Sequence, residues 1–186
     1  MDKLAAIAIG SNSPSGKGDS LATVISALVE IQRDIGQIVA VSRFFRTPAY
    51  PPGSGPEFVN AAALVASSMS AEEVLAALHR IEAAAGRTRE IRWGARTLDL
   101  DLLILGDTVL PDRETQKAWM ALPLEKQKQD APDRLILPHP RIQDRGFVLI
   151  PLAEIAPAMV HPVTGLTVAE MVNALSKAEK ATICPL

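Results

Sequence analysis

Asp99 and Asp101 stand one residue apart near the end of the stretch Arg92 to Leu105, which reads RWGARTLDLDLLIL. Side chains alternate between faces along a β-strand, so residues i and i+2 share one face. Leu98, Leu100, Leu102 and Ile104 are therefore expected on one face and the two aspartates on the other. This spacing holds two carboxylates about 7 Å apart at the Cα level. Like charges held that close repel unless cations lie between them. Two readings fit: a half-exposed strand with solvated aspartates, and a divalent metal site at the end of a sheet. If a metal binds, hard oxygen ligands suit Mg2+. Zinc is disfavoured, because no His or Cys has suitable spacing. Just upstream, Arg87, Arg89, Arg92 and Arg96 fall within ten residues, with Trp93 among them. In isolation such a cluster is a solvated loop. Beside an acidic metal site it binds polyphosphate through forked, charge-assisted hydrogen bonds.

Other residues could carry chemistry. His139 lies between Pro138 and Pro140, with Arg145 and Phe147 shortly after. The prolines fix its backbone, and structural and ligand-facing roles are about equally supported. His79 and His161 read as structural. Asn60 interrupts an apolar strand pattern, which disfavours β structure; it sits at an edge or bonds something specific. A fused heteroaromatic ligand would use flat aromatic walls and a few such amide contacts. The segment Gly10–Gly18 approaches a phosphate-binding P-loop but fails it. Five residues separate Gly10 from Gly16, and Gly18 follows Lys17 where Ser or Thr is required.

These residues need elements to position them. Leu4–Ile9 reads as a buried strand. Leu21, Val24, Ile25, Leu28 and Ile31 recur at helical spacing behind a cap at Asp19 or Ser20, and Gly36 stops that helix. Ile38–Phe45 reads as a second strand, followed by a loop with four prolines between Pro48 and Pro56. Phe58–Ala66 reads as a third strand. A capping box at Ser70–Glu73 opens a helix to about Ala85, and the Asp-bearing strand comes fourth. The order β-α-β-β-α-β predicts an α+β, ferredoxin-like antiparallel sheet with helices on one face. Further helices are expected near Arg145–Glu154 and after a second capping box at Thr167–Glu170. Residues 112–133 read as a surface insertion, partly helical, with Trp119, Met120 and Leu122 able to tack it down.

At 186 residues and 48% hydrophobic composition the chain fits one domain, 1–186, with a full core. A net charge of −2 argues against a general binder of nucleic acid or membrane surfaces. The single cysteine, Cys184, precludes an intrachain disulfide. No apolar run reaches transmembrane length and no signal-peptide pattern is present, so a cytoplasmic monomer is the expectation. An RNA-binding module on the same scaffold would carry basic and aromatic residues on its sheet; paired aspartates there would repel phosphate without a metal.

The segments IAIGSN, SRFFRTPAY, PEFVNAA, RIEAAAGRTR, RWGARTLDLDLLILG and LPHPRIQDRGFVLIPLAEIAP, taken in this order with a late His-Pro, resemble the 6-hydroxymethyl-7,8-dihydropterin pyrophosphokinases of folate biosynthesis. The resemblance covers the chain outside the insertion. It implies transfer of pyrophosphate from MgATP to the hydroxymethyl group of the dihydropterin, with release of AMP. It implies that Asp99 and Asp101 hold two Mg2+ ions and act in catalysis with Arg87 and Arg96. Glu82, Arg89, Trp93, Arg96, Arg134, His139 and Arg145 fall on ATP-contacting positions. Thr47, Pro48, Tyr50, Phe58, Asn60 and Phe147 fall on pterin-contacting ones. The partners implied are these two small molecules.

Overall fold

The apolar run after Asp2 forms β1 (Lys3–Ser11), three residues longer than the apolar pattern Leu4–Ile9 because Lys3, Gly10 and Ser11 also pair with the neighbouring strand. This computed structural model describes residues 2–16, 18–49, 55–86, 97–123, 126 and 132–186. Helix α1 (Ser20–Asp34) begins at Asp19, whose carboxylate accepts the Ala22 N–H at 2.8 Å. Helix α2 (Ala71–Ala84) opens on the expected capping box, in which Ser70 and Glu73 satisfy each other's backbone N–H groups. Their apolar stripes, including Val24, Ala27 and Ile31 on α1 and Val74, Leu78 and Ile81 on α2, are buried.

Among the described residues, six strands form one antiparallel sheet. β4 (Phe58–Ser67) lies near its centre, with β1 on one side and then β5 (Asp99–Leu105) at the edge. On its other side β4 pairs with both β2 (Gln37–Val41) and β3 (Phe45–Thr47), and β3 in turn pairs with β6 (Cys184–Pro185). The order β5-β1-β4-β2 is the ferredoxin-like one. The single strand expected over Ile38–Phe45 is thus two strands. The reason lies at Ser42, whose hydroxyl accepts the Ala62 N–H at 2.9 Å and donates to the Arg43 carbonyl at 2.7 Å. A side chain has entered the ladder. Arg43 then turns outward, where its N–H and its Nε both donate to Glu154, at 3.0 and 2.7 Å.

Helices cover both faces of the sheet: α1 and α2 share one, as expected of the ferredoxin-like unit, and the C-terminal helices take the other. Ala5, Ile7, Ala61, Ala63, Leu100 and Leu102 pack against α1 and α2. On the opposite face Ala6, Ala62, Leu64, Leu103 and Ile104 pack against α4 (Gly146–Ile155) and α5 (Val168–Ala174). Strands buried on both faces read as near-continuous apolar runs, which is how β1 and β4 read. One correction concerns Ile104. The β1–β5 register slips between Ala6 and Ile7: Ala6 opposes Ile104 while Ile7 opposes Leu102. Leu103 is the extra residue of this bulge, and it brings Leu103 and Ile104 together into the second core. Strict alternation, and with it the predicted Leu98–Ile104 face, ends at Leu102.

Helix α3 (Arg113–Ala121) lies in the insertion, and α6 (Lys177–Ala181) near the C-terminus. The start of α4 has no side-chain cap of its own; Glu179 of α6 supplies one by accepting the Gly146 N–H at 2.8 Å. A carboxylate is favourable at a helix N-terminus. The Leu186 N–H donates to Phe44 O at 2.9 Å, so the C-terminal segment secures both α4 and the β3 edge. Among the described residues, no helix is long and apolar enough to cross a membrane.

The α1–β2 turn offers a direct test. A Cβ on Gly36 would lie 2.2 Å from the Ala66 carbonyl oxygen, a backbone atom that no rotamer change relieves. Gly36→Ala is expected to destabilise the fold by about 1–3 kcal/mol, seen as a lower urea midpoint at an unchanged slope. An unchanged midpoint would show that the turn is not packed in this way.

Candidate active site

The pleat of the sheet sets two rows of residues on the face that bears α4. In the first, Asp99 opposes Gly10, Gly10 opposes Asn60, and Asn60 opposes Phe45. In the second, Asp101 opposes Ala8 and Ala8 opposes Ala62. Between the carboxylates of β5 and the amide of β4 there is thus only a hydrogen atom or a methyl group. The Gly10 position is tight in its own right: a Cβ there would lie 2.7 Å from Asn60 Oδ1 and 3.7 Å from Phe58 Cδ1. Glycine within a strand marks close approach of other groups. In the sequence Gly10 closes the apolar run, with Ser11 and Asn12 after it, so nothing local marks this close approach.

Of the residues expected at a pterin, the structure brings together Thr47, Phe58 and Asn60. Asn60 is buried, and its Nδ2 donates to Thr47 Oγ1 at 2.7 Å. Thr47 opposes Phe58 across the β3–β4 ladder. The edge alternative for Asn60 fails, since β4 is paired on both sides. Pro48 follows at the surface, and Phe147 is 38% exposed in the first turn of α4. Tyr50 lies outside the described residues.

Asp99 and Asp101 are half-buried, with Leu98, Leu100 and Leu102 buried on the opposite face. Arg145, the residue that begins α4, reaches across so that Nη1 donates to Asp101 Oδ2 at 3.2 Å. Its guanidinium also sits 5.8 Å from the centre of the Phe147 ring. One cation therefore lies against both Asp101 and an aromatic ring. It offsets part of the repulsion between the two aspartates. Among the described residues no three His, Cys, Asp or Glu side chains converge as a closed metal cage. The donor set still fits Mg2+, which commonly takes one or two carboxylates and completes its shell with water and phosphate oxygens.

Glu82 is placed differently from its expected nucleotide contact. It is 2% exposed, and its Oε1 accepts the Leu100 N–H at 2.8 Å. It works as a strut from α2 to the backbone between the two aspartates. Arg134 is exposed and paired with Asp133 at 3.2 Å. Arg87, Arg89, Arg92, Trp93 and Arg96 lie outside the described residues.

His139 is brought to the site. Its N–H donates to Leu103 O at 2.8 Å, so the Pro-His-Pro turn rides on the bulge of β5. Its Nδ1 accepts the Arg141 N–H at 3.1 Å, which places the proton of the neutral ring on Nε2. Burial first, then the positive charge of Arg145, pulls the imidazole down to about 4, with Asp101 opposing and Arg141 adding to the fall. The ring is a neutral donor at physiological pH. His161 is fully buried; its Nδ1 accepts the Val163 and Thr164 N–H groups at 3.2 Å each, a structural role as expected.

The sign of the pH effect follows. The folded-state value of His139 lies below that of the unfolded chain, about 6.5, so the unfolded chain protonates first. The stability contributed is complete above that value and is lost as pH falls toward about 4. Histidine NMR is expected to show His139 neutral at pH 5, and His139→Gln is expected to flatten the stability slope between pH 6.5 and 4. A ring that titrates near 6.5 would contradict this environment.

A family model described as 7,8-dihydro-6-hydroxymethylpterin-pyrophosphokinase matches residues 6–157. A 2-amino-4-hydroxy-6-hydroxymethyldihydropteridine pyrophosphokinase from Methylorubrum extorquens is 34% identical over 170 residues, covering 91% of this chain and 92% of the relative. Its namesake from Synechocystis is 35% identical over 157 residues, covering 84% of this chain and 70% of the relative. In fold, the chain resembles the solved Plasmodium falciparum HPPK-DHPS, with a TM-score of 0.65 at 14% identity. That likeness covers 93% of this chain but 44% of the other, so this chain spans less than half of the longer protein. The family match takes in β1 through α4, the same elements that build the two rows and carry Arg145. The chain belongs to the 7,8-dihydro-6-hydroxymethylpterin-pyrophosphokinase family.

Proposed function

We propose that the protein transfers pyrophosphate from MgATP to the hydroxymethyl group of 6-hydroxymethyl-7,8-dihydropterin, giving the pterin diphosphate and AMP in folate biosynthesis. The observation that carries this reading is the row Asp99–Gly10–Asn60. It sets a carboxylate pair suited to metal and triphosphate one strand away from an amide and an aromatic ring suited to a flat heterocycle. Glycine between them leaves room for the hydroxymethyl group and the β-phosphate to meet.

In this reading Asn60 and Thr47 orient the pterin by hydrogen bonds, and Phe58 and Phe147 cover its faces. Pro48 and Tyr50 belong to the loop that lines the pocket. Asp99 and Asp101 hold two Mg2+ ions, which when bound supply positive charge to the triphosphate. Arg145 and the Nε2–H of His139 contact phosphate oxygens, the first with charge and the second without. Arg134 lies toward the nucleotide. Glu82 acts through the strand by fixing the peptide between the two aspartates. Arg87, Arg89, Trp93 and Arg96 complete the phosphate contacts from the basic segment.

The substrate hydroxyl oxygen forms a bond to the β-phosphorus while the bond from that phosphorus to the α,β-bridging oxygen breaks. AMP leaves with the electron pair, and the hydroxyl proton passes to solvent. Positioning and charge neutralisation do most of the work in such a transfer.

The product decides the reaction class. Incubation with MgATP and the hydroxymethyl dihydropterin is expected to release AMP; ADP would mean a simple kinase. Asp101→Ala is expected to lower turnover at least about a hundredfold, since it removes a metal ligand, with unfolding unchanged because the side chain is half-buried. Near-normal turnover would refute the metal assignment. Gly10→Ala crowds Asn60 and is expected to raise KM for the pterin about tenfold while leaving KM for ATP in place. A shift in the ATP value alone would put the pterin elsewhere.

A further inference from the structure

Gln116 belongs to α3, in the insertion whose sequence reads as a surface excursion. Trp119, Met120 and Leu122, the expected tacking points, are only half-buried. Gln116 is completely buried. Its Nε2 donates to the Pro138 carbonyl at 3.2 Å. The opposite assignment of the amide would set two oxygens against each other, so Oε1 is the atom pointing away. Oε1 has no hydrogen-bond partner among the described residues. A buried carbonyl oxygen left without a partner is costly to stability. The gain must therefore be sought in what Nε2 holds.

What it holds is one side of a single peptide unit. The Pro138 carbonyl accepts from Gln116, and the N–H of the same planar unit, belonging to His139, donates to Leu103 O at 2.8 Å. A peptide plane bonded at both ends, to α3 on one side and β5 on the other, has its orientation fixed. The imidazole that follows is locked by the Arg141 N–H. The segment is tied at a second point as well: Leu110 and Leu137 exchange backbone hydrogen bonds at 2.8 and 3.1 Å, just before α3 and just before Pro138.

We propose that Gln116 is a positioning residue for the nucleotide side of the active site, aiming His139 through the Pro138–His139 peptide, so that α3 of the insertion is part of the ATP site. This rests on the proposed pyrophosphokinase reading, in which His139 contacts phosphate.

Gln116→Met keeps the length and volume of the side chain, removes the donor and removes the orphan oxygen. Binding of a non-hydrolysable ATP analogue with Mg2+, measured by calorimetry, is expected to weaken about three- to tenfold, the loss of one hydrogen bond. Pterin KM is expected to stay within twofold and the melting temperature to stay equal or rise. Gln116→Asn, whose amide falls one methylene short, is expected to show the same loss. In a His139→Ala background either substitution is expected to have little further effect, because the two residues act as one unit. Unchanged nucleotide affinity in both variants, or an equal loss with and without His139, overturns the inference alone. A parent protein that binds no MgATP and releases no AMP overturns the proposed function as well.

Discussion

Everything at the site depends on β5 being held on both of its faces. Leu98, Leu100 and Leu102 bury in the core beneath α1 and α2, while Leu103 and Ile104 bury in the core beneath α4 and α5. Fully burying each such side chain contributes about 1.5–3 kcal/mol. A one-residue slip would move the whole set to the wrong face. The bulge at Leu103 lets the strand serve both cores, and the Glu82 strut fixes the peptide between the two aspartates. Asp99 and Asp101 are thereby presented from a backbone that cannot shift to relieve their repulsion. That is the condition for a preorganised cation site.

The second constraint is the placement of the α4 N-terminus. The first N–H of the helix, that of Gly146, is taken by Glu179, and the side chains of Arg145 and Phe147 project at this end. Arg145 spans from the carboxylates to the aromatic wall, and His139 enters as an uncharged donor because burial and that same guanidinium disfavour its proton. The site is thus graded: acid on β5, cation at the start of α4, neutral donor on the bulge, then amide and aromatic groups on β4. A substrate pair with a polyanionic end and a flat neutral end matches that gradient.

Much of this was legible before any coordinates. The two carboxylates share a face because the strand period is two. The capping boxes at Ser70 and Thr167 place helix starts to the residue. The aromatic and amide positions on β4 are legible through the family resemblance and not through the strand period. What the sequence did not disclose depends on contacts between distant segments. The Ser42 hydroxyl splits a strand only because the Ala62 N–H is there to donate to it. The bulge at Leu103 appears only when β5 is set against β1, and nothing in an apolar run distinguishes it. Gly10 reads as punctuation until Asn60 is placed beside it. Gln116 is one polar residue among many in a polar insertion, and its burial comes from the Pro-His-Pro turn folding back over α3. Glu82 sits on an apolar helix face, where a buried acid implies a backbone partner that the chain order does not name.

In the proposed function one sheet face seats metal and triphosphate at Asp99 and Asp101 and the pterin at Asn60, with Gly10 between. Its most direct test is paramagnetic NMR of the protein with Mn2+ in place of Mg2+ and a non-hydrolysable ATP analogue. Amide signals of Asp99–Asp101, Gly10 and His139 are expected to broaden first, followed by the side-chain amide of Asn60. Broadening centred on another part of the molecule, or none at these residues, would contradict it.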